Sequence, residues 1–314
     1  MTRLAWFILC GGFWLANASV ARAASPIVPG YGERQTKVGD DFEDPAWGFI
    51  HNMPKSSSET DKNTRSPYGR SKNGRWSEGA HRGHPDHLVR VPTPDGGLEG
   101  SQGALLIQTR DSGIPRRPSG QGEQDDLFLN VRSRLGGHLP VSWSPSMVVR
   151  VFIPELDQWD QRPGSSFAAR IDVKGINQKG ELEPYWPGIF VQFGRDPRTR
   201  EPMAYLLLRA TERGGEFRGP TITEFGWWTM GMSCSADGRI HFFASPGVDD
   251  LTMEDHLGSR HCYGFRCQRF ESVFFDVFSY DNAKTWSTPW IIDDPMVYCN
   301  RPPSSMATRN GTRR

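Results

Sequence analysis

Apolar side chains recur at every second position over many short runs of this chain, and no segment carries a long amphipathic helical pattern. Successive side chains of a strand point to opposite faces, so the alternation predicts β-structure. Strands are expected at residues 104–109, 127–132, 147–153, 167–173, 189–193, 203–210, 227–234, 239–244 and 270–280. The 34 glycines and 24 prolines punctuate these runs, as strands joined by turns require. Asp237-Gly238 between two runs is a tight-hairpin signal that pairs 227–234 with 239–244. Residues 51–100 and 246–268 lack the alternation and read as long irregular loops, which in a compact domain are either functional or disordered. With no repeat and no low-complexity linker, residues 24–300 fit one β-domain, and 301–314 read as a disordered tail.

Each run divides into two faces. Met147, Val149, Val151 and Ile153 oppose Val148, Arg150 and Phe152, while Phe167, Ala169, Ile171 and Val173 oppose Arg170 and Asp172. Ile189, Val191 and Phe193 oppose Phe190 and Gln192; Val273, Phe275 and Val277 oppose Phe274, Asp276 and Phe278. His241 lies beside Phe243, with Ile240, Phe242 and Ala244 on the other side. One face of each run is therefore apolar. The second mixes rings with Arg150, Arg170, Asp172, Gln192, His241 and Asp276, where a solvated sheet would carry Lys, Glu, Thr and Ser. Rings stack on the apolar faces of sugars, and fixed polar groups meet hydroxyls and carboxylates, so this composition suits a concave glycan groove. Arg150, Asp172, Trp227 and Asp276 are its candidate substrate-binding residues. The competing reading is that these charges form structural pairs, such as Arg170 with Asp172 or Asp276.

Ser279-Tyr280-Asp281-Asn282-Ala283-Lys284-Thr285-Trp286 looks like the Asp-box, S-x-D-x-G-x-T-W, with Ala283 in the glycine position. In families that carry it, Asp and Ser satisfy turn amides while Trp packs beneath the hairpin. With an entry strand near Asp40-Asp41-Phe42 and Trp47, and the paired strands of 104–280, the chain resembles the concanavalin A-like lectin/glucanase superfamily. That resemblance implies an all-β, concanavalin A-like jelly-roll β-sandwich of two antiparallel sheets with long irregular loops. Residues 187–210 are similar to the strand-loop-strand of jelly-roll polysaccharide lyases. By that match Gln192 and either Arg150 or Arg170 would neutralise a uronate carboxylate, and His241 or Tyr205 would remove the proton alpha to it. The order Gln192-Phe193-Gly194 departs from those lyases, which have His two residues after the Gln, and their Lys-containing strand signature is absent, with Asp276 in that neighbourhood.

A glycoside hydrolase needs two carboxylates facing one groove. Asp172 and Asp276 are one such pair, and Glu155-Leu156-Asp157-Gln158-Trp159-Asp160 follows Pro154 as a loop. His81, His84 and His87 beside Asp86 could bind a divalent metal, although Pro85 forbids a regular helix there. The same loop, with Arg75-Trp76, Arg82 and Asp86, is the candidate second wall of a binding site. No nucleophile elbow, phosphate-cradling loop or dinucleotide fingerprint is present, so no nucleotide cofactor is expected.

Arg3, the apolar run from Leu4 to Leu15 and Ala21-Arg22-Ala23 have the layout of a signal peptide cleaved after residue 23, which places the protein outside the cell or in the periplasm. Loss of Arg3 and Arg22 moves the formal charge from +1 to −1, so electrostatics favours neither nucleic acid nor membrane as partner. Cys234, Cys262, Cys267 and Cys299 remain, an even number with three possible pairings. The short Cys262–Cys267 loop is the easiest to close, leaving Cys234 with Cys299; zinc is the alternative. The expected partner is an extracellular polysaccharide, acidic if the arginines contact it. Binding without turnover is the first expectation, a polysaccharide lyase or less readily a glycoside hydrolase the second, and a structural envelope protein the third. Gln192, an arginine and His241 or Tyr205 converging in one place would mark the enzyme.

Overall fold

The computed structural model describes residues 25–57, 62–63, 65, 68–112, 119–162 and 164–300, so the signal-peptide and tail expectations lie outside the described residues. In chain order the strands begin with β1 (Glu33–Arg34), β2 (Phe49–Ile50), β3 (Arg70–Ser71), β4 (Trp76–Glu78), β5 (His87–Val91) and β6 (Ala104–Gln108). There follow β7 (Gly122–Leu129), β8 (Leu139–Pro140), β9 (Ser146–Ile153), β10 (Ser166–Ile176), β11 (Leu182–Tyr185), β12 (Gly188–Arg195) and β13 (Pro202–Arg209). The last are β14 (Glu216–Ile222), β15 (Gly226–Cys234), β16 (Ile240–Pro246), β17 (His256–Arg260), β18 (Arg266–Tyr280) and β19 (Trp290–Cys299). One short helix, α1 (Val131–Leu135), ends at Gly136 in the left-handed region.

These strands form two antiparallel sheets. The smaller runs β17-β16-β15-β9-β19-β6-β5, with β1 on β19; the larger runs β14-β13-β12-β10-β18-β7-β4-β3-β2, with β11 on β10 and β8 on β18. The chain changes sheet between β1 and β2, β4 and β5, β6 and β7, β8 and β9, β9 and β10, β14 and β15, β17 and β18, and β18 and β19, the jelly-roll plan expected from the sequence. The apolar faces meet between the sheets: Val149, Val151 and Met230 of the smaller pack with Phe167, Ile171, Val191 and Phe275 of the larger, all fully buried. Phe167 lies 5.9 Å from Phe275 and 5.4 Å from Trp290, so rings from both sheets interlock.

The hairpin at Asp237-Gly238 joins β15 to β16, with Cys234 opposite Ile240. Gly238 has a φ of 83°, and a Cβ there would sit 2.8 Å from the Cys267 amide, so both conformation and space call for glycine.

Several expectations are corrected. Residues 39–46 form no entry strand: Asp40 accepts hydrogen bonds from Trp47 Nε1 (3.0 Å), Trp76 Nε1 (2.8 Å) and Asn73 (2.8 Å), so a carboxylate fastens a turn there. The 51–100 segment contributes β3, β4 and β5, and 246–268 contributes β17; neither is a loop throughout. β19 went unseen because Asp293-Asp294-Pro295 interrupts its pattern, and the structure has a register shift there with Asp294 at a φ of 44°.

At the Asp-box-like segment, Asp281 accepts hydrogen bonds from the backbone of Ser119 and Ala283, and Ala283 takes a φ of 53°. Trp286 is 41% exposed rather than packed beneath a hairpin, because the chain crosses here to the other sheet. No disulfide closes the Cys262–Cys267 loop. Residues 262–264 make a tight 3-10 turn, and the extended backbone that follows aims Cys267 inward, 3.9 Å from Cys234 on the opposite sheet.

Candidate ligand groove on the large sheet

The outward face of the larger sheet is a lattice that strand register defines. One row across it reads Arg209, Gly188, Arg170, Phe274, Phe128 and Ser77, from β13 through β12, β10, β18 and β7 to β4. The next reads Leu207, Phe190, Ala168, Asp276 and Asp126. A third reads Tyr205, Gln192, Ser166, Phe278 and Gln124. Cross-strand neighbours on one face touch, so each row works as a unit.

Arg170 occupies the centre. Its guanidinium lies 5.0 Å from the Phe274 ring and 5.4 Å from Phe190, pairs with Asp276 at 3.2 Å, and donates to the Trp186 carbonyl at 2.8 Å. Gly188 makes this possible, since a Cβ there would stand 2.7 Å from Arg170 Cγ. Arg170 Nε and Asp276 Oδ1 are buried and have no hydrogen-bond partner among the described residues.

Over these rows lies a cavity of about 510 Å³, walled by Ala80, His81 and Arg82 from one side and by Trp186 and Tyr263 from another. Lys62, Arg82, Arg170 and Arg209 line it, and among the described residues the carboxyl that joins them is that of Asp126. A wider cavity of about 780 Å³ shares Ala80, His81, Phe128 and Trp186 and continues past α1 to Asp172, Lys174 and Glu271. The two make one groove. Its inner half is cationic and aromatic, and its outer half carries charges of both signs.

Asp126 and Asp276 are register partners on the same face. Burial, and then the neighbouring Asp276, push Asp126 up to about 7, while Arg82 at 3.9 Å and Gln124 at 2.7 Å work the other way. Asp276 is also raised, by burial, against the opposing pull of Arg170. Burial lowers Arg170 despite Asp276. Asp172 rises to about 6 through burial and the nearby Glu271. Two carboxyls side by side can hold one proton between them in the neutral range, and so can donate as well as accept.

The eight expected catalytic and substrate-binding residues fall in three places. Arg170, Asp172 and Asp276 belong to the groove and its floor. Gln192 and Tyr205 face outward one row away, outside the cavity lining; Gln192 donates to the Phe193 carbonyl at 3.2 Å and Arg218 covers the Tyr205 ring at 4.3 Å. Arg150, Trp227 and His241 are on the smaller sheet and face away from the groove. There Arg150 meets Asp250 at 3.0 Å, Trp227 donates to the Pro94 carbonyl, and buried His241 meets the Ser259 hydroxyl at 2.6 Å. Gln192, an arginine and His241 therefore do not converge, whereas Gln192 and Tyr205 are register partners with Arg218 over the tyrosine ring.

The histidine cluster is also dispersed. His81 lines the groove, His84 is buried against Asn52 and the Pro85 carbonyl, and His87 opens β5 near Trp286. Extended backbone through Pro85 sends the three rings in different directions, and no group of three metal-ligating side chains exists among the described residues. Of the expected second wall, Arg82 takes part, whereas Trp76 is in the core and Asp86 in an interior ion pair.

Sequence reasoning missed Asp126, Trp186, Arg209 and Tyr263. A signal existed for Asp126: continuing the 127–132 alternation two residues backward would have put it on the face of Phe128.

No family model matches the chain, and neither does any curated protein. Among solved structures it is similar to the marine PL7 alginate lyase AlyA1 from Zobellia galactanivorans, with 12% identity and a TM-score of 0.41 over 84% of this chain and 94% of that one. A substrate complex of the family 7 alginate lyase A1-II′ gives 15% and 0.37 over 67% and 84%. The CBM2 module of the Lactobacillus casei BL23 phage J-1 evolved Dit gives 10% and 0.39 over 87% and 98%. Likeness at this level leaves function to the chemistry of the groove.

Proposed function

We propose that the groove of the larger sheet binds an acidic polysaccharide outside the cell. The observation that carries this is the lining of its inner half, where Lys62, Arg82, Arg170 and Arg209 stand, among the described residues, with the carboxyl of Asp126 and the rings of Phe128, Trp186, Tyr263 and Phe274. Rings accept the apolar faces of sugar residues, and guanidinium groups accept their carboxylates in bidentate fashion. The volume of about 510 Å³ suits a short stretch of a glycan, with the wider half of the groove carrying the chain onward. Export rests on the basic, apolar and A-x-A order of the first 23 residues.

Titration calorimetry with oligouronates and with neutral oligosaccharides of equal length tests the reading. Oligouronates should bind and neutral chains should not; equal affinity for both, or binding of neither, overturns it.

A second reading, β-elimination, is favoured by one observation: His81 and Tyr263 line the same cavity as Arg170. Arg170 or Arg209 would hold the uronate carboxylate and so acidify the adjacent carbon. His81 or Tyr263 would take that proton and return one to the departing oxygen. An absorbance rise from unsaturated uronate during incubation, lost in His81→Ala, would establish turnover. A flat trace with retained binding leaves the protein as a binder.

A further inference from the structure

Asp125 stands on the inner face of β7, in line with Leu127 and Leu129, where the alternation calls for an apolar side chain. Facing it is Lys55, whose side chain is fully buried; Nζ lies 2.6 Å from Asp125 Oδ2 and 3.0 Å from Asp86 Oδ1. The Thr109 hydroxyl lies within hydrogen-bond reach of both carboxyls, and Asp86 Oδ2 also accepts the amides of Arg110 and Asp111, each at 2.8 Å. Gly83 leaves room for the lysine stem, since a Cβ there would sit 2.3 Å from Lys55 Cβ. The three ionisable groups come from the 51–57 segment, from the larger sheet and from the entry to β5 on the smaller one, so they meet where the sheets join.

A buried ion pair of this kind seldom adds stability over apolar packing, and nothing in the groove chemistry uses it. An amine and a carboxyl held in contact, fully buried, beside a second carboxyl, are instead arranged to condense. We propose that Lys55 and Asp125 join in an intramolecular isopeptide bond, with Asp86 as the proton carrier.

The starting set is an ammonium on Lys55, a carboxylate on Asp86 and a protonated carboxyl on Asp125, neutral as a whole. Burial supports that distribution, raising Asp125 to about 7, while Asp86 is lowered by Lys55 and its amide donors. The ammonium passes a proton to Asp86, and the freed amine attacks the Asp125 carboxyl carbon. The C–N bond forms as the C–O bond breaks. The hydroxyl leaves as water with a proton from nitrogen, and Asp86 ends protonated. No oxidant, metal or nucleotide is consumed. The burial that lowers His51 and His84 to about 4 keeps these neighbouring rings neutral, so they do not compete for the carboxylates.

The intact mass of the purified full-length chain decides the point, read together with a peptide map. The expected mass is lower by one water than the sequence requires, with a branched peptide joining Lys55 to Asp125. Lys55→Arg and Asp86→Asn should both lack the branched peptide. A wild-type chain of full mass overturns the proposal, as does a water loss in which the Lys55 and Asp125 peptides remain linear. A branched peptide surviving in Asp86→Asn would overturn the part given to Asp86.

Discussion

The two outward faces of this sandwich have similar inventories and opposite fates. On the smaller sheet, Arg150, Trp227, Thr229, Ser233 and His241 stand among rings and short side chains, and the chain's own segments cover them. Ser233 donates to the Ile27 carbonyl, Thr229 to Gly247 and Arg150 to Val248. Gly231 brings Pro29 and Leu251 so close that a Cβ would lie 2.7 Å from each. On the larger sheet Arg170, Asp126, Phe128 and Phe274 are left under a groove whose walls stand off. Polar side chains on a sheet face therefore report a binding surface only where the rest of the chain leaves it uncovered. Their partners on the covered face are mostly backbone carbonyls, and those on the open face include the charged pair at its floor.

The sharpest way to break this comparison is to remove the central arginine. Arg170→Ala strands Asp276 as a buried charge without its counter-ion, so the variant should lose about 3–5 kcal/mol of stability. Oligouronate binding should disappear with it. A double variant, Arg170→Met with Asp276→Leu, keeps the volume and removes both charges, so it should recover most of the stability and none of the binding. Urea denaturation beside calorimetry separates the two effects. Binding that survives in the folded double variant would dismiss Arg170 as the ligand contact.

The legible part of this architecture is the part that regular alternation governs. Residues 147–153, 167–173, 189–193 and 270–280 form strands with the inward sets the sequence predicts, which put Arg170, Asp172 and Asp276 on an outward face together. Alternation cannot say which of two sheets a strand joins, so Arg150, Trp227 and His241 were grouped with residues on the far side of the molecule. Asp126 escapes the pattern because Asp125, a buried carboxyl on the inner face, breaks the alternation just before Leu127. Lys62, Arg82, Trp186 and Tyr263 reach the groove from irregular segments, where no period links sequence position to direction. Tyr263 even adopts a left-handed φ of 61°, which only the surrounding fold can impose.

The carboxyl pair at the groove floor makes a smaller and pH-dependent difference between the faces. Asp126 and Asp276 both titrate above the ordinary aspartate range in the folded protein, so the fold holds their protons more tightly than the unfolded chain does. The contribution of Asp126 to stability is full below the unfolded value of 3.8 and is lost as pH rises through about 7, and Asp276 acts in the same direction. Asp126→Asn should thus gain about 1 kcal/mol or more at about pH 8 relative to wild type, and much less at about pH 5. Deprotonation also adds a negative charge beneath the ligand, so wild-type affinity for oligouronates should fall several-fold over the same rise. The Asn variant should bind with a flat profile. Parallel pH dependence in both proteins would place the titrating group elsewhere.

At the rim of the groove the effects shrink further. Arg209 is partly exposed, shares its guanidinium with Glu216 and lies 4.9 Å from the Phe190 ring. Arg209→Ala should weaken oligouronate binding about tenfold, about 1.4 kcal/mol, with little change in the unfolding midpoint. Calorimetry that finds unchanged affinity would confine recognition to the central row.

Arg150→Ala on the covered face gives the smallest effect and the cleanest control. In sequence Arg150 and Arg170 look alike, each an arginine among apolar neighbours within a strand. In the fold, Arg150 pairs with Asp250, whose side chain is 98% exposed, and its other hydrogen bond among the described residues is to the Val248 carbonyl. Removing it leaves no charge buried, so stability should change by less than about 1 kcal/mol. Oligouronate affinity should equal that of wild type, because the side chain lies on the opposite side of the sandwich from the cavity. Equal damage from Arg150→Ala and Arg170→Ala would mean that the ligand uses the smaller sheet as well. In that case the segment around Ile27 and Pro29 would have to lift away before binding, because it lies across Ser233 and Gly231.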